Sequence, residues 1–81
     1  VNRTEALDVV KESIAQVVPD ADLEGLGLDE TFRDALEMDS LDFLSFIETL
    51  SERTGVRIDD EDTPSLTTLS GSADFLVART E

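Results

Sequence analysis

Along the first twenty residues, apolar positions recur three or four apart. Leu7, Val10, Ile14 and Val17 share one helical face, while Asp8, Lys11, Glu12 and Gln16 fall largely on the other. This spacing predicts an amphipathic helix from about residue 5 to residue 18, capped by Thr4 and stopped by Pro19. A second apolar stripe follows Asp39 and Ser40. With Ser40 at zero and about 100° per residue, Phe43, Phe46, Ile47 and Leu50 gather within roughly 240–340°. That face is predicted to be buried, in a helix that starts at Asp39 or Ser40 and runs to about Arg53. Thr54-Gly55 ends it, Gly55 being suited to a left-handed C-terminal conformation. A last helix is predicted over residues 69–79, opened by Thr67-Thr68. Leu69, Ala73 and Leu76 recur there at helical spacing with Phe75 beside them, and Gly71 and Ser72 weaken its beginning.

Between the first two helices lie residues 19–38, with Gly25, Gly27 and scattered leucines. So long a connection in a small chain has to pack down on itself. Leu23, Leu26 and Leu28, with Phe32 and Leu36, are expected to pin it to the core, and a short helical turn is expected near residues 29–33. After Val56-Arg57-Ile58, the run Asp59-Asp60-Glu61-Asp62 reads as a solvated charged turn, and Pro64 limits any helix there to a turn or two. The sum is an all-α, small four-helix bundle of three main helices plus one short helix. Residues 1–81 make a single domain of marginal stability.

Charge narrows the partners. Acids outnumber bases by 20 to 6, for a formal net charge of −14. Nucleic acid and anionic membrane surfaces would be repelled, whereas proteins with basic surfaces would be attracted, faster at low salt. Self-repulsion also costs stability, which divalent cations or lower pH would relieve. The chain has no Cys, so disulfides and thiolate metal sites are excluded, and no His, the commonest general base and metal ligand. A serine nucleophile would therefore lack its usual activator, which argues against an enzyme; no catalytic residue and no metal ligand is assigned. No apolar stretch approaches transmembrane length and no signal peptide is visible, so the expectation is a cytoplasmic monomer without membrane insertion. An opening Val1 fits either loss of an initiator Met or excision from something longer.

The segment Leu36-Glu37-Met38-Asp39-Ser40-Leu41-Asp42 resembles the phosphopantetheine-attachment motif of acyl carrier proteins, whose core is Asp-Ser-Leu. The motif opens a helix about midway along a chain of carrier-domain length. Gly55-Val56-Arg57-Ile58 followed by acids, then Thr67-Thr68-Leu69 opening a final helix, match the family's layout in order and spacing, so the resemblance covers essentially the whole chain.

The resemblance implies that Ser40 takes a 4′-phosphopantetheine arm from coenzyme A as a phosphodiester. A separate phosphopantetheinyl transferase would supply the Mg²⁺ and the base. Asp39 matches the residue that helps place that metal and orient the serine. Leu41 matches the exposed apolar residue gripped by partner enzymes, which transfer or modify acyl groups. Independently, the helical wheel sets Leu41 near 100°, beside Ser45, Glu48 and Glu52, with Leu44 near 40°. Leu41, Asp42, Leu44, Glu48 and Glu52 are therefore the expected partner-binding set. The working thiol would belong to the arm, which accounts for a carrier without Cys.

One departure stands out: Ser45 and Ser51 replace acids common along this helix, and Glu48 stands where an apolar residue is common. That pattern suggests a specialised carrier rather than the housekeeping one of fatty-acid synthesis. A peptidyl or aminoacyl carrier would share arm and fold, and an acidic interaction module with no prosthetic group would explain the charge. The plainest alternative for Ser40 is a simple helix N-cap.

Overall fold

Helix α1 spans Arg3–Val17 in the computed structural model, which describes residues 2–80. Its cap is Asn2 rather than Thr4: Asn2 lies in extended conformation, and its side chain accepts the Glu5 N–H at 2.8 Å. The Asn2 carbonyl already accepts the Ala6 N–H, which places Thr4 inside the first turn. The buried face is centred on Ala6, Val10, Ser13 and Ile14, with Leu7 and Val17 at its borders. Ser13 satisfies its hydroxyl within the helix by donating to the Val9 carbonyl at 2.8 Å. Helix α1 is the central element and lies against both of the other long helices.

Helix α2 is a single turn, Phe32–Ala35, and it falls three residues beyond the expected position. Two tertiary ties explain the shift. The Phe32 N–H donates to the Thr67 carbonyl at 3.0 Å, and the Leu28 carbonyl accepts the Ser70 N–H at 3.0 Å. These bonds hold residues 28–31 against the entry to the last helix, so the chain turns helical only afterwards. The Phe32 ring is fully buried and meets Phe46 edge to face, 5.1 Å between centroids. Of the leucines expected to pin the connection, Leu26 is buried and Leu23 and Leu36 are half-buried, but Leu28 is exposed and contributes its backbone instead.

A Schellman turn ends α2. The Met38 N–H donates to the Arg33 carbonyl at 2.8 Å, and the Glu37 N–H to the Asp34 carbonyl at 3.3 Å. Glu37 takes the left-handed position at φ 53°, where a Cβ costs about 1–2 kcal/mol and glycine is the usual solution. Glu37→Gly is expected to raise the melting midpoint by about 3–6 °C, the relieved strain outweighing the added freedom of the unfolded chain. Thermal melts of the two proteins in one buffer check this; a lower midpoint would show that Glu37 contributes more than its backbone.

Helix α3 runs Ser40–Thr54 and buries Phe46, Ile47 and Leu50, while Phe43, expected in the core, is half-buried. Gly55 closes α3 in the left-handed region at φ 70°. Arg53 ties α3 to α1 through Glu12 and Gln16, both at 3.0 Å. A 3₁₀ helix, Asp60–Leu66, follows and is broken off beyond Pro64 within about two turns. The acidic run caps and opens this helix and is only partly solvated. Asp59 and Asp62 are half-buried; the Asp62 carboxylate accepts the Asp59 N–H at 3.0 Å and pairs with Arg79 at 2.9 Å. Helix α4 spans Leu69–Thr80, opened by the Thr68 hydroxyl accepting the Gly71 N–H at 2.9 Å. Gly71 is no weak point: a Cβ there would lie 2.6 Å from the Ser65 carbonyl oxygen, so its absence lets the 3₁₀ helix seat on α4. The architecture is the expected all-α bundle, with both short segments helical.

Candidate functional site

The turn from α2 into α3 decides what Ser40 can do. Asp39 is extended and takes the N-cap: its Oδ1 accepts the Asp42 N–H at 2.8 Å, and Asp42 reaches back to the Asp39 N–H at 3.5 Å. This reciprocal box satisfies the end of the helix without Ser40. Ser40 becomes the first helical residue, exposed, with its hydroxyl uncommitted to capping. The reading of Ser40 as a simple cap is thereby corrected; Asp39 does that work.

The Ser40 Oγ accepts a hydrogen bond from Arg33 Nη2 at 3.0 Å. Three constraints set that guanidinium. The Schellman turn brings the Met38 carbonyl within 3.3 Å of Arg33 Nε, the guanidinium carbon lies 5.5 Å from the Phe43 ring centroid, and the neighbouring Phe32 is locked in the core. Half-buried Phe43 packs against the edge of the core and also meets the Arg33 guanidinium. Sequence reading gave Arg33 no role. The available signal was a lone base among Asp29, Glu30, Asp34, Glu37, Asp39 and Asp42.

An arginine donates only, so Arg33 cannot remove the Ser40 proton. The hydroxyl is accessible and oriented but not activated. Its place at the start of a 15-residue helix, with a cation alongside, suits an oxygen that is to bear an anionic ester.

The outward face of α3 carries the rest of the expected set. Leu41 is 76% exposed and Leu44 53%, two large apolar side chains three residues apart on one helix. Glu48 and Glu52 are exposed in line with Leu41, and Ser45 lies among them. Asp42 stands apart: it is half-buried and engaged in the capping box. Ser51 differs too, because its hydroxyl donates to the Val56 carbonyl at 2.7 Å and fastens the end of α3.

A family model described as "Phosphopantetheine attachment site" matches residues 8–76. This chain belongs to the acyl carrier protein family. The carrier is similar to a curated acyl carrier protein of Rubrobacter xylanophilus, 35% identical over 74 residues, covering 83% of this chain and 91% of the relative. It is 35% identical to an acyl carrier protein of Tropheryma whipplei over 72 residues, 85% of this chain and 88% of the relative. Another, from Thermosynechococcus vestitus, is 35% identical over 75 residues, 93% and 91% of the two chains.

Its prosthetic group is covalent 4′-phosphopantetheine, and its role is carriage rather than catalysis. Its partners include a phosphopantetheinyl transferase and synthase enzymes. The module without a prosthetic group is set aside by this membership. The residues present fit the group: an exposed hydroxyl at a helix start, with a guanidinium in reach of its oxygen. Among the described residues, no helix is long and apolar enough to cross a membrane.

Proposed function

We propose that Ser40 bears the arm and that this chain presents acyl thioesters to enzymes of fatty-acid, lipid or polyketide-type synthesis. The observation that carries the reading is the division of labour at the start of α3: Asp39 caps, and Ser40 is left accessible. On modification, a bond forms between Ser40 Oγ and phosphorus while the pyrophosphate bond of coenzyme A breaks. Adenosine 3′,5′-bisphosphate leaves, and the hydroxyl proton passes to a base on the transferase. The arm supplies the thiol on which acyl groups are held.

Asp39 would assist modification with the carboxylate oxygen that its cap leaves over, which could serve as a ligand to the transferase's Mg²⁺. Leu41, Leu44, Glu48 and Glu52 form the partner-facing surface, and Asp42 contributes mainly by holding the start of α3. Weak, charge-steered contacts of this kind suit rapid exchange among partners with basic surfaces. The chain acts as one carrier domain and as a cytoplasmic monomer. Its acidity and the names of its relatives support acyl rather than peptidyl cargo. Ser45 and Glu48, both exposed on the partner face, support a specialised carrier; Ser51, engaged in the helix end, drops out of that argument.

The test is an intact mass after incubation with coenzyme A, Mg²⁺ and a broad-specificity phosphopantetheinyl transferase. The expected result is a gain of one arm, absent in Ser40→Ala although that variant keeps its helical circular dichroism. A gain retained by folded Ser40→Ala would place the attachment elsewhere and end the proposal.

A further inference from the structure

The arginines of this chain do not all do the same thing. Arg3 pairs with Asp74, Arg53 with Glu12, Arg57 with Asp59 and Arg79 with Asp62. Arg33, in a chain of 20 acids, has no carboxylate within ion-pair distance among the described residues. Its Nη2 is spent instead on a neutral hydroxyl, Ser40 Oγ, and its Nε on a backbone carbonyl. A guanidinium has five donors in a planar fork, and these two bonds leave most of them unused.

We propose that Arg33 is a positioning residue for the phosphodiester, pre-set to bind its non-bridging oxygens and so fix the root of the arm against α3. The inference rests on Ser40 carrying that phosphodiester. The Met38 carbonyl and the Phe43 ring hold the guanidinium in place before any phosphate arrives, so little side-chain freedom remains to be lost on pairing. Esterification adds a negative charge beside Asp39 and Asp42, in a molecule already at −14. A guanidinium at that point offsets the added repulsion through charge-assisted, fork-shaped hydrogen bonds. Arg33 also fixes direction. With the ester oxygens held on the α2 side of Ser40, the remainder of the arm leaves away from α2 rather than turning freely about the Cβ–Oγ bond.

The experiment compares unloaded and fully loaded forms of the wild type, Arg33→Ala, Arg33→Lys and Arg57→Ala, loading being verified by intact mass. Arg57 removes the same charge from an exposed pair beyond the far end of α3, its side chain 88% exposed. At low salt, loading is expected to leave the midpoint of the wild type and of Arg57→Ala within about 1 °C. It is expected to lower that of Arg33→Ala by about 3 °C or more, with Arg33→Lys between. The gap should narrow in 0.5 M NaCl, as a screened charge pair requires.

A readout independent of any variant is the ¹⁵N spectrum of the wild-type arginine side chains. Loading should move the Arg33 signal more than those of Arg3, Arg53, Arg57 and Arg79. A mass gain with an unmoved Arg33 signal, or with equal midpoint shifts in Arg33→Ala and Arg57→Ala, overturns the role of Arg33 and leaves Ser40 standing. No mass gain in any folded protein overturns the attachment reading itself.

Discussion

Phe32→Ala is expected to lower the melting midpoint by about 15 °C or more, the largest effect of any single truncation near the site. Phe32 is 0% exposed and belongs to a four-residue helix. One turn of helix has no cooperative stability of its own, so α2 exists because its ring is anchored. The anchor is the edge-to-face meeting with Phe46, reinforced by the bond from the Phe32 N–H to the Thr67 carbonyl. Truncating a buried Phe costs about 3–5 kcal/mol. An 81-residue domain holds roughly 4–12 kcal/mol in all, and self-repulsion at −14 draws this one toward the lower part of that range.

The consequence reaches the site, because α2 also carries Arg33. Loosening α2 should release the guanidinium from Ser40 and cost arm attachment its geometry even where the variant still folds. Leu28→Ala is the internal control: Leu28 lies four residues upstream, is 47% exposed, and should move the midpoint by less than about 2 °C. Thermal melts followed by circular dichroism decide it. Equal small shifts in the two variants would mean that α2 is not docked through Phe32.

The contrast between Phe32 and Leu28 also shows what the sequence could express. The long helices were legible because each carries a repeating apolar face, and burial of Val10, Ile14, Phe46, Leu50, Leu69 and Leu76 enforces that period physically. Residues 19–38 have no period. Residues 28–32 are held by bonds to Thr67 and Ser70, more than thirty residues away, and no local pattern encodes such a partner. The same holds for Gly71, whose low helix propensity is visible but whose close neighbour, the Ser65 carbonyl, is not.

The position of Asp39 and Ser40 at the start of α3 and the exposure of Leu41 were readable from the Asp-Ser-Leu motif and the helical wheel. The cap was harder to assign, because Asp and Ser are both good caps and only the chain path through Glu37 and Met38 decides between them. Arg33 could not be placed from sequence: its reach to Ser40 depends on a Schellman turn formed with Glu, rather than Gly, in the left-handed position.

Leu41→Ala should reduce kcat/KM for arm attachment by a transferase about tenfold to a hundredfold while leaving the melting midpoint within about 1 °C. At 76% exposure Leu41 contributes almost nothing to folding, so a stability effect and a recognition effect separate cleanly. Burying such a side chain at a partner's surface is worth about 1.5–3 kcal/mol, and each 1.4 kcal/mol is a factor of ten in rate or affinity. Leu41 follows Ser40 directly in α3 and is exposed, so it lies within the footprint of a partner docked around the hydroxyl.

Leu44 widens the same apolar spot and, at 53% exposure, should show a smaller loss on the same substitution. Glu48 and Glu52, one and two turns further along, act differently. On the proposed function these exposed carboxylates steer encounter with a basic surface, so charge removal should lower the association rate at low salt and lose its effect near 0.5 M NaCl. The Leu41 loss, by contrast, should persist at that salt, since apolar burial is not screened. A Leu41→Ala effect that vanished with added salt would mean that the residue acts through the charges around it rather than as the apolar centre of the docking face.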